Sequence, residues 1–115
     1  MLNYSSRGLD RVFGALADPT RRRMLERLSR GDCSVGELAR PHRMSLPAIS
    51  QHLGILESAG LVGRRRRGRV HRMRMRPGRL LQAESWIEEH RAAWEGRLDR
   101  LGKFLSELQS KEEKL

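Results

Sequence analysis

Apolar positions recur along this chain with two periods. In "LDRVFGALAD", Leu9, Val12, Phe13, Leu16 and Ala17 fall on one stripe, which predicts an amphipathic helix over 9–18. "DPTRRRMLERLSRG" predicts a second helix. Asp18 is its N-cap, Pro19 takes the first helical position, and Met24, Leu25 and Leu28 face inward. Gly31 is its stop. "SVGELAR" is a short helix with Ser34 and Glu37 in capping-box spacing, Leu38 and Ala39 as its core side, and Pro41 as its end. After the turn "PHRM", Ser45 caps a helix in which Leu46, Ile49, Leu53 and Leu56 form the buried stripe and Gly60 the end.

From Leu61 the period changes. In "LVGRRRRGRVHRMRM", Leu61 and Val62 enter the core, Val70, Met73 and Met75 are candidates for the buried side of a returning strand, and Gly68 marks a hairpin turn. Residues 79–111 then predict one long helix. Ile87, Trp94, Leu101 and Leu108 lie seven apart, with Leu98 and Leu105 four after two of them. Such a stripe needs a partner surface, and a second copy of the chain is the expected one. The tail "SKEEKL" is expected to fray.

This order gives a mainly α fold with a small β-hairpin: a winged helix-turn-helix with a long C-terminal dimerisation helix. One domain is expected over 1–115, with the helix-turn-helix and wing in 18–76.

The side of the fourth helix opposite its stripe carries Pro47, Ala48 and Gln51, with Ser50 and His52 at its borders, and no charge. Exposed helix faces usually carry Lys and Glu. A helix entering the major groove of DNA needs small side chains near the bases and short hydrogen-bonding groups, and a carboxylate there would repel phosphate. Gln reads adenine bidentately, Ser reads several bases, and an alkyl group meets a thymine methyl. The helix N-terminus is where such contacts are made. The candidate recognition set is Ser45, Pro47, Ala48, Ser50, Gln51 and His52.

Charge reinforces this reading. The 115 residues carry a net +10, and 21 of the 24 basic residues are Arg. Residues 84–115 hold eight acidic and six basic residues, a net −2. Residues 1–83 hold six acidic and 18 basic, a net +12. A polyanion is the expected partner of the first stretch. No acidic residue stands between Leu61 and Leu81, where Arg64, Arg65, Arg66, Arg67, Arg69, Arg72, Arg74 and Arg76 crowd together. Strand alternation sends some of these to each face, so they cannot all touch one duplex. Arg66, Arg67 and Arg69 flank the turn and are the candidate wing-tip contacts, on phosphates or in the minor groove.

Other classes fit less well. A non-specific DNA-compacting or RNA-binding protein would share the charge, but aromatics are only 4% of the chain and the wing has none on which to stack bases. His42, His52, His71 and His90 are scattered, with no catalytic grouping and no phosphate-binding glycine loop, so no enzyme is expected and no cofactor. A pure protein-interaction module leaves the Arg hairpin unexplained. No apolar run approaches the ~18 residues of a membrane span. With no secretory signal and one cysteine, a reducing cytoplasm is the expected compartment.

Residues 15–75 resemble the ArsR-type winged-helix repressors of bacteria through "LADPTRR", "SQHL" followed by "AGLV", and "GRVHR". "WIEEHRAAWEGRLDRL" is similar to the ending of a subgroup without metal sites. The resemblance implies a homodimer joined through the first and last helices, binding an inverted-repeat operator in double-stranded DNA and blocking transcription. It places groove-reading positions on Pro47, Ala48, Ser50 and Gln51, with His52 at the border. It places the dimer interface on Leu9, Val12, Phe13, Leu16, Ile87, Trp94, Leu98, Leu101 and Leu105. Metal-sensing members carry a Cys-x-Cys pair where this chain has Ser34 and Gly36, with Cys33 one place earlier and unaccompanied, and the terminal helix offers only His90. Thiolate sites generally need three or four ligands, so no metal is expected. Cys33 reads either as a passive small residue or, ahead of a helix N-terminus, as a redox-sensitive thiol. No effector is specified by these residues.

Overall fold

The structure is a computed structural model and describes residues 6–113. Its elements in chain order are α1 (Ser6–Leu16), α2 (Pro19–Leu28), β1 (Cys33–Ser34), α3 (Val35–Ala39), α4 (Leu46–Ser58), β2 (Val62–Arg67), β3 (Val70–Met75) and α5 (Gly78–Glu113). Two compact units result, one ending at Ala83 and one beginning at Glu84. The division falls inside α5, where a single domain over 1–115 was expected.

The starts of α2, α3 and α4 are held as their sequence dictates. Asp18 accepts from the Arg21 N–H, Ser34 from Glu37 and Ser45 from Ala48, with proline in the first turn of α2 and α4. The capping-box spacing of Ser34 and Glu37 works in one direction, because the Glu37 carboxylate stands 3.9 Å from Arg27. α4 ends in a Schellman motif. Leu61 donates to the Leu56 carbonyl, Gly60 donates to Glu57, and Gly60 takes φ +74°.

The core of the first unit gathers Val12, Met24, Leu25, Leu28, Cys33, Leu38, Ile49, Leu53, Leu56, Leu61, Val62, Met73 and Ala83. Three expectations change here. Val12, placed on the dimer face above, is 1% exposed, so its side chain serves its own core. Leu46, placed in the buried stripe, is 71% exposed. It is the first residue of α4, a turn ahead of Ile49, where the helix has not yet met the core. Val70 is half exposed because it differs in parity from Met73, and alternation turns it to the other face.

The sheet is antiparallel in the order β1-β3-β2. Val62 pairs with Met75 and Arg67 with Val70, leaving Gly68 and Arg69 as a two-residue turn. Gly68 adopts φ +61°, as the first turn position of a type II′ hairpin requires. The third strand was not expected. It is only two residues long, pairing Cys33 with Met73 and Ser34 with Arg72.

α5 carries 36 residues and runs to Glu113, so 110–113, expected to fray, are helical. Within the second unit Ile87, Trp94, Leu98, Leu101, Leu105 and Leu108 are all exposed, as is Phe104.

Candidate nucleic-acid interface

The front of α4 stands free. Ser45, Pro47, Ser50 and Gln51 are exposed and Ala48 is half-buried. Ser45 fixes its start, and Ile49 and Leu53, 1% and 0% exposed, anchor its back. Two shallow concavities flank this front. Ser50 lines one with the opening of α3, Arg64, Arg69 and His71. Gln51 lines the other with Arg11, Gly14 and Gly54, between α1 and α4. The structure thus brings Ser50 and Arg69, 19 positions apart, to one surface. It also adds Arg11, which the sequence left unremarked on the polar side of α1.

His52 is turned away from this front. Its side chain is 18% exposed, and Nδ1 lies 3.2 Å from Arg21 Nη1 and 3.8 Å from Asp18 Oδ2. Arg21 also donates to the carbonyls of Ala15 (2.7 Å) and Gly14 (3.1 Å), satisfying the last turn of α1. One guanidinium therefore joins α1, α2 and α4. The hydrogen bond from the Arg21 N–H, aided by the Arg21 charge, holds the Asp18 carboxyl below its ordinary value despite partial burial.

The wing arginines differ in their engagement. Arg64 Nη2 lies 2.6 Å from Glu57 Oε1 and its Nη1 donates to His71 at 3.3 Å, so Arg64 binds the wing to α4. Arg66 Nε donates to the Gly68 carbonyl at 2.9 Å across the turn. Arg67 and Arg69 are exposed.

Cys33 is fully buried, and burial pushes its thiol above the ordinary range. That favours the inert of its two readings, since the thiolate is the reactive form. Among the described residues no three His, Cys, Asp or Glu side chains converge. His90 stacks on Trp86 with ring centroids 4.1 Å apart, and its Nδ1 donates to the Trp86 carbonyl at 2.8 Å. No helix among the described residues is long and apolar enough to cross a membrane.

Residues 18–63 match the model of the arsR family of bacterial regulatory proteins. The chain is 42% identical over 60 residues to the transcriptional repressor SdpR of Bacillus subtilis, a stretch covering 52% of this chain and 67% of that one. It is 40% identical to the solved ArsR family transcriptional regulator RHA00566, with a TM-score of 0.77 over 83% of this chain and 97% of that one. The chain belongs to the ArsR family. Its fold is the winged helix-turn-helix expected from the sequence. It is also 55% identical over 56 residues to the HTH-type transcriptional regulator Rv2034 of Mycobacterium tuberculosis, 49% of this chain and 52% of that one. The matched stretches thus span about half to two thirds of these curated relatives. A homodimeric winged helix-turn-helix DNA-binding domain, Mb0332 of Mycobacterium bovis, superposes with a TM-score of 0.57 at 27% identity, over 87% of this chain and 95% of that one.

Proposed function

We propose that this ArsR-family chain is a sequence-specific double-stranded DNA-binding repressor, acting without catalysis as a homodimer on an inverted-repeat operator in the cytoplasm. The observation that carries this reading is the exposed, uncharged front of α4 set between Arg11 and the arginine wing. Ser50 and Gln51 read base edges, Pro47 and Ala48 allow close approach, and Ser45 orients the helix. Arg66, Arg67 and Arg69 hold the flanking backbone at the wing tip. His52 acts from behind, through Arg21 and Asp18, to set the angle of α4.

The exposed apolar residues of α5 and the homodimeric relative support self-association. Leu9, Phe13 and Leu16 of α1, and Ile87, Trp94, Leu98, Leu101 and Leu105 of α5, are the residues assigned to that contact. Phe104 joins them by its exposure. Two-fold pairing would present two α4 helices to half-sites about 34–36 Å apart.

Selection from a random duplex library tests the reading. A recovered palindrome bound by two copies is the expected result. Equal affinity for every sequence would instead make the chain a non-specific basic binder.

A further inference from the structure

Strand register sorts the wing arginines by face. Arg65 lies directly opposite Arg72, Gly63 opposite Arg74, and Arg67 opposite Val70. Alternation puts Arg65, Arg67, Arg72 and Arg74 together on the side of the sheet away from buried Met73. The four line one concavity with Asp32 and are all exposed. Arg72 Nη2 donates to the Asp32 carbonyl at 3.2 Å. Among the described residues, no ion pair joins any of the four to a carboxylate. Gly63 gives the arginine stems room: Arg74 Nε and Arg76 Cδ lie 3.3 Å from where a Cβ would stand.

Like charges directly opposite in a sheet destabilise it. Arg65 and Arg72 are such a pair, at exposed positions where no packing demands arginine. The inner side differs. There Arg64 is neutralised by Glu57, and the concavity shared by Ser50 and Arg69 opens. A half-site lying against α4 and that concavity leaves the outer side unfilled. DNA is stiff over about 150 base pairs, so a short duplex held by α4 cannot fold back around the sheet.

We propose that the outer side of the wing is a second phosphodiester-backbone site, occupied by a duplex other than the one held by α4. This rests on the DNA-binding reading above. The contact is electrostatic and sequence-independent, through Arg65, Arg72 and Arg74, while Arg67 beside the turn stays with the first duplex. It would let one dimer hold two DNA segments.

The full-length protein is saturated with an immobilised operator duplex of about 30 base pairs, too short to bend back. Capture of a labelled duplex of unrelated sequence is then measured. The wild type should capture it. The triple variant Arg65→Gln/Arg72→Gln/Arg74→Gln should keep operator affinity and lose about tenfold or more in capture, since each lost phosphate contact lowers the salt slope by about 0.9. Its melting temperature should equal or exceed that of the wild type, and Arg72→Gln alone should give a partial loss. Capture unchanged in a folded variant, or no capture by an operator-bound wild type, overturns the second site. Operator affinity falling in step with capture also overturns it, because the arginines then serve the first duplex. A wild type that binds no operator defeats the DNA-binding reading itself.

Discussion

Arg64 and Glu57 form an ion pair at 2.6 Å that crosses from the wing to the C-terminal half of α4. Both side chains are about one-third exposed, at 31% and 33%. Glu57→Gln should cost about 0.2–1 kcal/mol of stability, the range for pairs open to solvent. Urea denaturation measures it, and the loss should shrink in high salt.

Gln51 stands on the exposed front of α4. Gln51→Ala should weaken operator binding by about 1–3 kcal/mol and relax one base position, leaving random duplex unaffected. Unchanged affinity and unchanged specificity would remove Gln51 from the reading surface.

Arg69 should act differently. Arg69→Ala is expected to weaken all sequences alike and to lower the slope of log K against log salt by about 0.9. Titration at several salt concentrations reads this directly, and an unaltered slope would mean that Arg69 touches no phosphate.

Ser45 accepts from the Ala48 N–H at 3.3 Å. Ser45→Ala should cost about 0.5–2 kcal/mol as a lost N-cap. Ser45→Asp should retain the cap and yet weaken DNA binding, because it brings a carboxylate to a surface facing phosphate. Thermal melting paired with operator titration separates the two effects.

Asp18 gives the fold an acid-sensitive element. Its folded pKa lies below the unfolded one, chiefly through the Arg21 N–H. Folding therefore favours its ionised form. The resulting stability is complete above the ordinary carboxylate value of about 3.9 and is lost as pH falls through the lower folded value. Asp18→Asn keeps a capping oxygen without the titration. Its urea midpoint should fall less than that of the wild type between neutral pH and the region below the ordinary value.

Local signals carried most of the fold. The caps at Asp18, Ser34 and Ser45, the stop at Gly60 and the turn at Gly68 each depend on residues within a few positions, and a sequence displays those. β1 escaped because two residues cannot show alternation. Leu46 and Val70 have the composition of core residues, and only their place at a helix start and on a strand face sends them outward. Val12 shows the reverse, a stripe residue assigned to a partner that its own core claims. The pairings of Arg21 with His52 and of Arg64 with Glu57 depend on how helices cross, which no local pattern encodes. Arg11 entered the candidate surface for the same reason.

Ser34 belongs to two elements at once. It pairs with Arg72 at the edge of the sheet, and its hydroxyl receives the Glu37 N–H that starts α3. With no slack chain between them, a tilt of the short helix must drag the hairpin with it. The two should therefore exchange their amide hydrogens as one cooperative block, a lever that swings about a single serine.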